Sequence, residues 1–126
     1  KSVCTTFLIG DADNVMAKSR QISLNAFEGQ KPESRSITNQ DIKENIKEFA
    51  QLDGAFVIDG DGYIRAQSRY ITVDISNVTL PKGMGTRHNS VAAMTQVTNT
   101  VGIVVSQSGG GITIFKNGLI LKKITL

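Results

Sequence analysis

The 126 residues suffice for one domain with a buried core, and 40% hydrophobic residues with 12 glycines are ordinary for a soluble globular protein. A net charge of +3 and a pI near 9.2 suit an anionic ligand, but no Lys/Arg tract marks a nucleic-acid stripe. No apolar run approaches the roughly 20 residues of a membrane span, and Cys4, being single, excludes an internal disulfide and suits the reducing cytoplasm. Cys4 reads as a small core residue on a strand. The chain opens on Lys1, so a piece of a longer protein is expected, with residues 1–126 forming one domain.

The segment Val3 to Ile9 reads as a strand stopped by Gly10-Asp11. Val15 to Leu24 is expected to be a helix, with Val15, Ser19 and Ile22 on one face. Asn25 to Ser36, holding Gly29, Pro32 and several charges, reads as a loop. Thr38-Asn39 offers an N-cap, and Ile42, Ile46 and Phe49 recur at helical spacing to about Leu52. The charged face of that helix is solvated surface. Ala55 to Ile58 is a short buried strand, Asp59-Gly60-Asp61-Gly62 a turn, and Tyr63 to Ser68 the returning strand. That turn is no calcium loop, because Ile64 and Tyr70 stand where an EF-hand needs its glycine and glutamate. Ile71 to Leu80 alternates like a strand and ends at Pro81. Val101 to Ser106 is the most apolar strand and is expected at the centre of the sheet. Ser108 to Gly111 turns the chain, and Ile112 to Phe115 and Leu119 to Ile124 form a hairpin across Lys116-Asn117-Gly118. The irregular mixture with local hairpins predicts an α/β fold: a single domain with a central mixed β-sheet flanked by helices.

The stretch Gly83-Met84-Gly85-Thr86-Arg87-His88-Asn89-Ser90 precedes good helical material, Val91 to Val97. A glycine loop feeding a helix N-terminus suits an anion, because the first N–H groups lack internal partners and carry the positive end of the dipole. Arg87 offers a planar fork to phosphate. Thr86 could cap the helix or bind a phosphate oxygen, and His88 could bind phosphate or metal. The stretch matches neither a Walker loop nor the dinucleotide fingerprint, and a polar loop before a well-capped helix fits it equally.

Two blocks carry a family resemblance. Leu52-Asp53-Gly54-Ala55-Phe56-Val57-Ile58 resembles the Asp-Gly-Ala block of diadenylate cyclases, and Gly85-Thr86-Arg87-His88-Asn89-Ser90-Val91-Ala92-Ala93 is similar to their Gly-Thr-Arg-His-Arg block. Ile103 to Ser106 resembles the apolar strand ending in serine that follows. The likeness runs from about Thr5 to Ile124 and is to the cyclase domain of DisA-type enzymes, nearest to archaeal members. It implies condensation of two ATP into cyclic di-AMP (c-di-AMP) and two pyrophosphates, with Mn²⁺ or Mg²⁺, between two subunits meeting face to face. It also implies roles. Asp53, Arg87 and His88 would be catalytic, with Asp53 activating or orienting the 3′-hydroxyl. Gly54, Ala55, Gly85, Thr86, Arg87, His88, Asn89 and Ser106 would contact ATP. Asp53 and His88 would lie by the metal, which the ATP phosphates largely hold. Apart from the resemblance, Asp53 fits the bracing of a turn as well.

The chain departs from the family twice: Asn89 replaces the second arginine, and Gln107-Ser108 stands where many relatives have acidic residues. The first keeps a rival open, a nucleotide-binding sensor that has lost turnover. A Ser/His/Asp hydrolase is disfavoured, because His88 and Ser90 lie two apart at a helix start and no Gly-x-Ser-x-Gly elbow occurs.

Overall fold

The computed structural model describes residues 4–106 and 111–125. Their elements are, in order, β1 (Cys4–Ile9), α1 (Ala12–Ala17), β2 (Ser19–Gln21), α2 (Pro32–Arg35), α3 (Ile42–Phe49), β3 (Ala55–Ile58), β4 (Ile64–Ile71), α4 (Thr86–Val97), β5 (Val101–Ser106), β6 (Gly111–Lys116) and β7 (Leu119–Ile124). The strands make one sheet in the order β2-β4-β3-β1-β5-β6-β7. Only the β1–β3 pair is parallel, so the sheet is mixed, and the α/β expectation holds.

Alternation along β1 divides two cores. Leu8 faces a cluster with Val15, Ala55, Val57, Val91, Met94, Val104 and Phe115, under α1 and α4. Phe7 and Ile9 face the other, with Phe27, Ile42, Phe56, Ile58 and Ile64, where α3 supplies Ile42, Ile46 and Phe49. Phe7 and Phe56 stack at 5.1 Å between ring centroids. All four residues of β3 are buried, as expected of a strand covered on both faces.

Helix α4 lies unusually close to β5. A Cβ on Gly102 would fall on Val91 Cγ1 and come within 3.2 Å of Thr95 Cγ2. Glycine therefore lets the helix settle onto the sheet, and this fixes where its N-terminus emerges.

Both hairpins follow local chemistry. Asp59 Oδ1 accepts from the N–H groups of Asp61 and Tyr63, each at 3.0 Å. Asn117 and Gly118 take positive φ, 54° and 80°, as a two-residue hairpin loop requires.

Several expectations are corrected. The helix expected over Val15 to Leu24 ends at Ala17, and Ser19–Gln21 instead forms edge strand β2, with Arg20 opposite Tyr70. Ser19 Oγ donates to Val15 O at 2.7 Å, and β4 offers backbone partners that a helix here would leave unpaired. The loop over Asn25 to Ser36 contains the short helix α2. Helix α3 begins at Ile42 with Asp41 as its cap residue; Asn39 instead accepts from the Asp41 N–H at 2.9 Å. Between Ile71 and α4 no strand forms: pairing with the β2 side ends where the Thr72 N–H donates to Lys18 O at 3.1 Å, and Asp74 binds the N–H and hydroxyl of Ser76, both at 2.9 Å. Val73, Val78 and Leu80 instead pack against the first core from an irregular crossing, as does Met84 beyond it. Strand β5 is interior, but β1 occupies the centre of the sheet. Val3, the turn at 108–110 and the Gln107-Ser108 departure lie outside the described residues.

Candidate active site

A cavity of about 450 Å³ opens beneath the N-terminus of α4, within the size range of small-molecule sites. Its floor crosses three adjacent strands, because Thr6 on β1 pairs with Ala55 on β3 and Ala55 with Arg69 on β4, and Arg20 of β2 lines its far end. At the usual strand spacing this row is roughly 10 Å long. Thr86, Arg87, Ser90 and Val91 of α4 line the cavity from above.

Of the residues singled out in the sequence, Asp53, Gly54, Ala55, Thr86 and Arg87 converge here. Asp53 is exposed just ahead of β3. Gly54 follows at φ 100°, and a Cβ there would sit 2.7 Å from the Cα and carbonyl carbon of Ser68. Ser68 itself has φ 58° where the β3–β4 register shifts. The glycine of Asp-Gly-Ala is thus required by a bulge that brings the β4 backbone into the space of a side chain. Arg87 is aimed by Thr6, whose buried hydroxyl accepts from Nη1 at 3.2 Å.

Three arginines, Arg20, Arg69 and Arg87, line this cavity against one carboxylate, Asp53. Arg69 is braced by the Ser19 hydroxyl at 3.0 Å and by the carbonyls of Met16 and Ser19 at 2.6 Å. Burial lowers its pKa, but the neutral partners leave its charge uncancelled. The Arg20 guanidinium lies 5.0 Å over the Tyr70 ring. With Ile22 and Ile71, this end of the cavity sets apolar and aromatic surface beside its two arginines, while Thr86, Arg87 and Ser90 make the α4 end polar.

Other expected residues lie beside the cavity, outside its lining. Gly85 is the cap residue of α4 and makes no side-chain cap bond, so Thr86 is the first helical residue and does not cap. Asn89 donates from Nδ2 to Gly85 O at 2.9 Å. The His88 ring meets Phe115 edge-on at 6.0 Å. Burial first, then the charges of Lys123 and Arg87, hold its pKa below the ordinary histidine value. Ser106 ends β5 opposite Cys4 and Gly111. It shares the α4 face of that strand with Val104 and Gly102. Among the described residues no three His, Cys, Asp or Glu side chains form a metal cluster, so Asp53 and His88 belong to no ready-made cage.

Sequence reasoning missed Thr6, Arg20, Arg69, Tyr70 and Ser90. Helical spacing could have found Ser90, four residues beyond Thr86. The strand residues carried no local signal, since only register brings them together.

A family model described as "DAC: DisA bacterial checkpoint controller nucleotide-binding" matches residues 2–120. The chain belongs to the DAC family. The DAC domain is 39% identical over 119 residues to the diadenylate cyclase of Methanocaldococcus jannaschii, covering 94% of this chain and 37% of that protein. It is 40% identical over 118 residues to the diadenylate cyclase of Haloferax volcanii, covering 94% and 43%. The chain therefore spans less than half the length of these curated relatives. A cysteine double mutant of Staphylococcus aureus DacA superposes with a TM-score of 0.65 at 17% identity, over 97% of this chain and 75% of that one. At that identity the likeness establishes the fold alone.

Proposed function

We propose that this DAC domain is a diadenylate cyclase, a nucleotidyltransferase that binds one ATP in the cavity and joins it to the ATP of a facing second copy. The observation that carries this reading is the cavity's charge pattern: three arginines and the uncapped N-terminus of α4 surround a single carboxylate. Adenine suits the apolar end at Ile22, Tyr70 and Ile71, and the triphosphate suits Thr86 and Arg87, with His88 and Ser106 beyond. Gly54 and Ala55 let the nucleotide lie close to the chain, and Gly85 and Asn89 are assigned to its phosphate end beside the cavity.

In each half-reaction a 3′-oxygen forms a bond to the other nucleotide's α-phosphorus, and the bond from that phosphorus to pyrophosphate breaks. Asp53, at the rim, would orient the 3′-hydroxyl and draw its proton, while Arg87 steadies charge on the phosphates. A divalent cation, Mn²⁺ or Mg²⁺, would supply further neutralisation of the phosphates. The lone hard oxygen donor of Asp53 fits an ion carried mainly by ATP itself. His88, with Lys123 and Arg87 already raising the cost of positive charge at its ring, is assigned to phosphate before metal. Leu24 (92% exposed), Tyr70 (52%) and Leu52 (47%) leave apolar surface at or near the Asp53 and Arg20 rims, which a second copy would cover. Among the described residues no helix is long and apolar enough to cross a membrane. The proposed compartment is the cytoplasm.

Incubation with ATP and Mn²⁺ or Mg²⁺, followed by chromatography, tests the reading. Wild-type protein should release c-di-AMP, Asp53→Asn should retain ATP and release none, and an excess of the variant should poison wild-type subunits. Bound but unconverted ATP in the wild type would favour the sensor, and failure to bind ATP would refute both.

A further inference from the structure

We infer that Lys123, on the last strand and outside both sequence blocks, grips the terminal phosphates of the nucleotide and hence the departing pyrophosphate. This rests on the reading of the cavity as an ATP site.

The first observation is a charge division along the chain. All 11 acidic residues stand at or before Asp74, while the remainder carries Lys82, Arg87, Lys116, Lys122 and Lys123 and no carboxylate side chain. That remainder forms α4 and strands β5 to β7. An acid-free stretch of this kind attracts anions and offers its lysines no carboxylate side chain of its own. Neither ion pair among the described residues involves Lys123.

The second observation is register. Thr6 pairs with Val104, Val104 with Thr113, and Thr113 with Lys123, so one row runs from the cavity floor to the edge strand. Directly paired residues share a face of the sheet. Val104 belongs to the core beneath α4, which places Lys123 on the α4 face. The helix N-terminus sits over this row. Arg87 reaches down to Thr6 at one end, and the His88 ring meets Phe115, two residues from Thr113, toward the other. Lys123 and Arg87 both act electrostatically on His88, consistent with the three groups gathering at one place. A triphosphate that leaves the cavity past Arg87 therefore runs along cationic surface toward Lys123. Lys122 is the internal contrast. It pairs with Ile114 and so points to the opposite face.

The test is calorimetric titration of ATP and AMP into wild type, Lys123→Ala, Lys123→Arg and Lys122→Ala. Lys123→Ala should weaken ATP about three- to tenfold, the scale of one charge-assisted contact at an exposed site, and leave AMP unchanged. Lys123→Arg should restore ATP, Lys122→Ala should match wild type, and added salt should shrink the Lys123→Ala effect. Equal loss for ATP and AMP, no loss for ATP, or the same loss in Lys122→Ala would overturn the assignment. Wild-type protein that binds ATP without turnover, with the Lys123→Ala ratio as described, would refute the cyclase reading and support this one. Turnover with unaltered ATP affinity in Lys123→Ala would refute this inference alone.

Discussion

Replacing Gly54 with alanine should damage stability and nucleotide binding together. At φ 100° an L-residue is strained, which costs about 1–2 kcal/mol. The new methyl would also lie 2.7 Å from two backbone atoms of Ser68 and 2.9 Å from the Arg69 nitrogen. Backbone cannot rotate aside as a side chain can, and forced overpacking costs roughly 1–3 kcal/mol. Together these give a loss of about 2–5 kcal/mol, a large part of an ordinary domain's stability. With an unfolding entropy of about 2.1 cal/mol/K per residue, the melting temperature should fall by roughly 8–19 °C. Relief by moving the β4 bulge would displace Arg69 and Asp53, so ATP affinity should fall as well. Gly85→Ala is the control, since a Cβ there meets nothing within 4 Å and the backbone is extended. It should cost less than about 1 kcal/mol, the difference between glycine and alanine as cap residues. Urea denaturation and calorimetric ATP titration of both variants decide the matter. Gly54→Ala as stable as Gly85→Ala would refute the steric reasoning.

Arg87→Ala should weaken ATP binding by about 1.5–3 kcal/mol, the scale of a hydrogen bond to a charged group. Thr6→Val, which removes only the hydroxyl that aims Arg87, should cost about 1 kcal/mol, and Thr6→Ser should restore it; equal affinities in calorimetry for all three would make Arg87 a bystander. The folded-state pKa of His88 lies below 6.5, so the unfolded chain binds its proton more tightly. The stability it contributes is complete above about pH 6.5 and is lost as pH falls through the folded-state value. His88→Gln should flatten denaturation midpoints across that window, and in NMR titrations Lys123→Ala should move the His88 pKa up. A wild-type His88 titrating at or above 6.5 would contradict the geometry.

The elements legible in the sequence are those whose cause is local. The Asn117-Gly118 hairpin, the Asp59 turn and the apolar spacing of α3 each depend on residues within one turn of one another. Asp53, Gly54, Ala55, Thr86 and Arg87 were legible because two short blocks carry a family pattern, and the fold does bring those five together. Strand β2 was not, since Ser19–Gln21 is a strand only because β4 lies beside it. The crossing over 73–80 alternates in part like a strand, but no strand pairs with it, and its apolar residues Val73, Val78 and Leu80 serve the core beneath α4. Arg20, Arg69 and Tyr70 enter the site through the register of β2 and β4, and Lys123 reaches its face through the register of β6 and β7. The sequence by itself determined the turns, the amphipathic helix and the two blocks, because short-range sterics and hydrogen bonds specify them. The tertiary structure alone decided which strands became neighbours, and with them where the arginines gather, because pairing across the sheet depends on partners distant in the chain.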